Sequence, residues 1–177
     1  GFEAVQDAHH NCLIRVPASK GKEDHPTVIL QGHLDMVCEK DDGIDHNFET
    51  DPIQVKKDGD WLTANGTTLG GDNGIAIAYC LALLDETEVS HPPLELFFTA
   101  DEETGMFGAF GFDPALLKGR RLLNLDSEEE GIFLVGCAGG CSAECILPLT
   151  GKKPDGETVE LVVEGLTGGH SGAEIDK

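Results

Sequence analysis

Five short stretches hold the residue types that do chemistry in water: His33 and Asp35, Asp72, Glu102 and Glu103, Asp126, and His170. Each alone has an ordinary structural reading. A lone histidine is more often a satisfied buried side chain than a ligand, and Asp35 suits a turn. Asp72 could cap a helix, while Glu102 and Glu103 could form an exposed acidic loop and Asp126 the start of a solvated acidic run. What sets them apart is placement, because each of the first four stands just past a segment that reads as a strand or at the entry to a helix. Carboxylates gathered at one point stay ionised only if a cation compensates them, and imidazole with carboxylates suits zinc. Residues two apart on a strand share a face, so Asp35 can orient the His33 ring. Adjacent glutamates point in different directions. One of Glu102 and Glu103 can therefore hold metal while the other remains free as a general base.

The elements that must position these groups follow from hydrophobic patterning. Asn11 to Val16 and Thr27 to Leu34 are apolar runs of strand length, and residues 38–51 read as a loop. Pro52 to Leu62 reads as a hairpin around a Lys-Lys-Asp-Gly-Asp tip. Ile75 to Glu86 is apolar on nearly every side and predicts a buried helix. Leu94 to Thr99 and Arg121 to Leu125 predict two more strands, and Asp113 to Lys118 a short helix with Pro114 in its first turn. Strands alternating with helices predict an α/β fold built on a mostly parallel sheet with flanking helices. In open sheets of that kind, ligands bind at the carboxyl ends of strands. After Cys141 the pattern changes to two alternating segments, Ser142 to Leu149 and Thr158 to Glu164. Residues 1–140 are thus expected to form one domain and residues 141–177 the start of another of α+β type.

Composition narrows the function. Twelve basic against 33 acidic residues leave a formal net charge of −21, which repels phosphate backbones and anionic membranes. Nucleic acid and membrane are therefore not expected as partners, and no apolar run approaches the ~20 residues needed to span a bilayer. The six cysteines include no Cys-x-x-Cys pair, which fits reduced thiols and a cytoplasmic setting. Cys137, Cys141 and Cys145 would align on a helix, but the neighbouring Gly139-Gly140 argues for extended chain rather than a thiolate metal site. The chain opens at Gly1 without an initiator Met and stops shortly after a glycine-rich turn, so it is read as a fragment.

The motifs themselves are distinctive. Gln31-Gly32-His33-Leu34-Asp35-Met36-Val37, Gly66 to Gly74 (GTTLGGDNG), Asp101-Glu102-Glu103-Thr104-Gly105, Asn124 to Gly131 (NLDSEEEG), Gly136 to Gly140 (GCAGG) and Gly168-Gly169-His170-Ser171-Gly172 stand in order along the chain. Together they closely resemble the aminoacyl-histidine dipeptidases, within the wider zinc-dependent superfamily of aminoacylases and glutamate carboxypeptidases. The resemblance implies that Asp72 bridges two Zn2+ ions, with His33 and Asp126 on one and Glu103 on the other, and with Co2+ or Mn2+ as substitutes. It implies Glu102 as the general base, Asp35 as the residue that orients His33, and His170 as a substrate or oxyanion contact in an inserted lid domain. It further implies a small peptide substrate such as β-alanyl-histidine, a homodimer, and a last zinc-ligating histidine beyond residue 177.

Other readings of the same residues compete. An amidohydrolase for N-acyl amino acids would share this site, and a metal-binding fragment without turnover would keep it. Gly169 to Ala173 lacks the closing glycine of a serine nucleophile turn. The glycine loop before Asp72 lacks the Gly-Lys-Ser/Thr ending of a phosphate cradle.

Overall fold

The computed structural model describes residues 1–165 apart from 87, 128, 138, 140, 142, 149 and 152–154. Contacts divide the chain into two compact units, Gly1–Ile132 and Phe133–Lys177.

The first unit is built on a five-stranded sheet in the order β1-β2-β6-β3-β7. Its strands are β1 (Glu3–Gln6), β2 (Cys12–Val16), β3 (Val28–His33), β6 (Leu94–Thr99) and β7 (Arg121–Asn124). Strand β6 is buried at every position, as its unbroken Leu-Glu-Leu-Phe-Phe-Thr run requires of a central strand covered on both faces. It runs parallel to β3, and β3 runs parallel to β7, while β1 and β2 add antiparallel pairings on the other side. The parallel part is thus β6-β3-β7, and that part carries the chemistry. A separate antiparallel hairpin joins β4 (Val55–Asp58) to β5 (Trp61–Ala64), where the Lys-Lys-Asp-Gly-Asp tip predicted it.

Two apolar layers sandwich the sheet. On one face Val16, Leu94, Leu96 and Phe98 pack with Cys80 of helix α1 (Gly71–Asp85). On the other, Leu13, Ile29 and Phe97 meet Phe112 and Leu117. The period-two alternation of β6 sends Leu94, Leu96 and Phe98 one way and Glu95 and Phe97 the other. Glu95 is 1% exposed, and its carboxylate accepts from the Lys118 and Gly119 amides at 2.9–3.1 Å, with Arg15 Nε at 3.7 Å. Those bonds allow a charge in the core.

The short helix expected at 113–118 is a single 3-10 turn, Pro114–Leu116, started by Asp113 accepting from the Ala115 amide. Patterning did not foretell β1 or the short helix α2 (Phe107–Gly111). The first is exposed throughout, and the second is too glycine-rich for a helical signal.

In the second unit, the described residues of 143–148 and 157–164 form no strand, where alternating strands were expected. Val159, Leu161 and Val163 are largely exposed, so no face of that alternation is buried. Alternation stabilises a strand only when one face packs, and two isolated strands are marginal in water. No helix among the described residues is long and apolar enough to cross a membrane.

Candidate metal centre

The parallel strands β3, β6 and β7 end side by side. Leu34 N donates to Thr99 O at 2.8 Å, and Leu125 N donates to Gln31 O at 2.8 Å. The next residues along each strand, His33 to Asp35, Ala100 to Glu103 and Leu125 to Asp126, are thereby gathered at one edge. Helix α1 enters at the same place. Gly70, at φ 74°, turns the chain as glycine allows, and Asp72 and Asn73 keep non-helical backbone angles inside the first turn. Asp72 therefore does not cap the helix. Its Oδ1 lies 2.9 Å from His33 Nε2 instead.

Asn73 locks this junction. It is 2% exposed, accepts from His33 N at 3.1 Å and donates to Leu125 O at 3.0 Å, spanning the ends of β3 and β7. Beside it Gly32 has no room for a side chain, because a Cβ would stand 2.2 Å from Asn73 Oδ1 and 2.6 Å from Ala76 Cβ.

His33 is the buried member of the set, 1% exposed. Its Nδ1 lies 2.9 Å from the backbone oxygen of Asp35, and a carbonyl can only accept, so that nitrogen carries the proton. Nε2 is left facing Asp72 Oδ1 at 2.9 Å and Asp126 Oδ1 at 3.7 Å. The Asp35 carboxylate is 3.6 Å from Nδ1. Its two oxygens accept from the Glu102 and Glu103 amides at 3.1 and 3.0 Å. The backbone of Asp35 thus holds the ring, and its side chain holds the acidic loop. Sequence reasoning anticipated contact with the ring and missed the second tie, since nothing in the spacing of residues 35 and 102 signals it.

Donor atoms of His33, Asp72 and Glu103 all lie within 4.8 Å of one another. Burial would lower the His33 pKa, but the hydrogen bond to Asp72 and the charge of Asp126 outweigh it and raise it. Burial, then the charges of Asp72 and Glu102, raise that of Glu103. Asp126 is pushed up to about 6 by burial and by Asp72, against the opposing pull of His33. Carboxylates that disfavour one another's ionisation around a neutral-capable imidazole make a donor set suited to a divalent cation. An open cleft of about 620 Å³, lined among others by Asp72, Tyr79, Asp126 and Glu130, adjoins these groups. His170 lies outside the described residues.

Comparison with known proteins identifies the family. The profile of peptidase family M20/M25/M40 matches residues 29–173. The cytosol non-specific dipeptidase of Escherichia coli (strain K12) is 49% identical over 177 residues, which are 99% of this chain and 36% of that protein. The crystal structure of aminoacylhistidine dipeptidase from Vibrio alginolyticus superposes with a TM-score of 0.71 at 52% identity, over 73% of this chain and 26% of that one. Aminopeptidase PepT from Bacillus cereus shares the fold at 24% identity and a TM-score of 0.56, over 72% of this chain and 34% of its own. The chain thus spans about a third of the length of the curated relative it matches.

Proposed function

From the premise that this chain belongs to peptidase family M20/M25/M40, a family of metal-dependent peptidases, we propose that the protein carrying it is a two-zinc dipeptidase. Its substrates are dipeptides, Xaa-His among them, with β-alanyl-histidine as the test case. The observation that carries this reading is the convergence of His33, Asp72 and Glu103 donors at the carboxyl end of the parallel strands. His33, Asp72, Glu103 and Asp126 would hold the ions, with Asp72 shared between them. Bound there, zinc supplies Lewis acidity toward the scissile carbonyl and toward an attacking water.

The chain's own residues do the rest. Glu102 takes a proton from the water as the new C–O bond forms, then returns it to the amine as the C–N bond breaks. Asp35 fixes the loop that carries Glu102 and Glu103, and its backbone keeps the proton of His33 on Nδ1, so that Nε2 would be the nitrogen that holds the metal. Residues 1–140 form the catalytic domain and 141–177 the beginning of a lid in which His170 meets substrate. The protein acts in the cytoplasm as a homodimer. The names of the Escherichia coli and Vibrio relatives support a dipeptide over an N-acyl amino acid.

The test is replacement of Glu102. In the full-length zinc-loaded protein, Glu102→Ala should lose turnover of β-alanyl-histidine by at least ~100-fold while zinc content stays at the wild-type value. Turnover that survives the substitution would remove Glu102 from this role. Faster hydrolysis of N-acetyl amino acids than of any dipeptide would replace the substrate class.

A further inference from the structure

The loop that bears Glu102 and Glu103 is tied at both its tip and its neck. The tip is held by the Asp35 carboxylate. The neck is formed by Ala100 and Gly108, whose backbones meet through Gly108 N donating to Ala100 O at 3.1 Å. A Cβ on Gly108 would lie 2.2 Å from that oxygen and 2.5 Å from Asn11 Oδ1, so the neck is closed to contact distance.

Asn11 comes from the other end of the sheet's sequence order, on the turn between β1 and β2. The ladder between β2 and β6 ends at the Cys12–Phe98 pair, and the Asn11 side chain continues it. Its Oδ1 accepts from Ala100 N at 3.1 Å, and its Nδ2 donates to Gly108 O at 2.8 Å. One carboxamide, 1% exposed, thus grips both sides of the neck. It is itself aimed by Asp7. The Asp7 carboxylate accepts from Asn11 Nδ2 at 2.7 Å through one oxygen, and through the other from the amides of Asn11 and His9, each at 2.9 Å. His10 takes φ 65° to close that turn.

We propose that Asn11 is a positioning residue, aimed by Asp7, that sets through Ala100 and Gly108 where Glu102 and Glu103 stand. Its catalytic meaning rests on the proposed roles of those two glutamates. Both strands of the neck bond to the same side chain, so a displaced Asn11 moves the loop as one piece. Outer partners of metal ligands and small misplacements of reacting groups each change rates by about 10- to 100-fold. No change in the substrate's own binding contacts is required.

The experiment compares two variants with the full-length wild-type enzyme: Asn11→Asp, and the swap Asp7→Asn with Asn11→Asp. In the swap the new amide at position 7 can donate to the new carboxylate at position 11, restoring the turn. That carboxylate still faces the Gly108 carbonyl with no proton to donate. Melting temperature should therefore fall in the single variant and recover in part in the swap, where only the repulsion at the Gly108 carbonyl remains. Dipeptide kcat should stay about 10- to 100-fold down in both with KM little changed, and zinc affinity by chelator competition should be weakened in both. Recovery of kcat and zinc affinity together with melting temperature in the swap would overturn the proposal, as would wild-type kcat in either variant. If both variants melt early, hydrogen–deuterium exchange decides. Faster exchange confined to residues 100–108 supports positioning, and faster exchange throughout the chain overturns it. Wild type without dipeptide turnover would sink the peptidase reading alone, because zinc affinity and exchange test Asn11 without turnover.

Discussion

Burial is the largest single influence on Asp7 and would raise its pKa, but the hydrogen bonds from the Asn11 side chain and from the Asn11 and His9 amides together outweigh it and hold the carboxyl below its ordinary value of 3.8. A carboxylate with a depressed folded-state pKa adds stability that is fully present above its unfolded value and is lost as pH falls through the folded one. Thermal melts of the wild type should therefore decline more steeply than those of Asp7→Asn as pH falls below about 4, while Asp7→Asn starts lower at neutral pH. Parallel declines would mean that Asp7 carries none of the acid sensitivity. At this scale the sequence was informative about residue types. His33, Asp35, Asp72, Glu102, Glu103 and Asp126 stood out by what they could do and by what preceded them. Asn73 and Asn11 did not, since a buried carboxamide carries no signature until both its partners are known.

At the scale of elements, the junction of β3 with α1 depends on close approach. Gly32 sits where a methyl group would collide with Asn73 Oδ1 and Ala76 Cβ. Gly32→Ala must push the helix entry away from the strand, at a cost of roughly 1–3 kcal/mol from overpacking. Denaturant unfolding should show that loss, and weakened metal binding should accompany it because Asn73 stands next to Asp72. An unchanged midpoint would mean that the junction yields freely. Strands and the main helix were legible because their apolar runs have the right length. The short helix read at 113–118 was legible from Pro114 but is only the 3-10 turn Pro114–Leu116, and the helix α2 was not legible, because its few glycine-rich residues are placed by the Ala100–Gly108 neck.

For the molecule as a whole, binding of a metal at the proposed centre would be one equilibrium with folding. His33, Asp72 and Glu103 come from separate parts of the chain and meet only in the folded sheet. A cation that binds the folded form alone stabilises it by RT ln(1 + [L]/Kd), about 2.7 kcal/mol at a hundred times Kd. Zinc should raise the melting temperature, a chelator should reverse the rise, and Asp72→Ala should abolish the response. A melting temperature indifferent to zinc in the wild type would contradict the proposed centre.

The chain by itself determined the α/β class and the strand at residues 94–99, and it pointed to groups of a type that could hold a metal, because length, periodicity and residue type are local properties. Only the tertiary structure decided that β1 and β2 run antiparallel beside the parallel strands, and that the backbone of Asp35 holds His33 while its carboxylate holds residues 102 and 103. It alone tied Asn11 to Ala100 and Gly108. These are contacts between segments distant along the sequence, and their geometry is set by how the strands align and where each ends, which no window of neighbouring residues encodes.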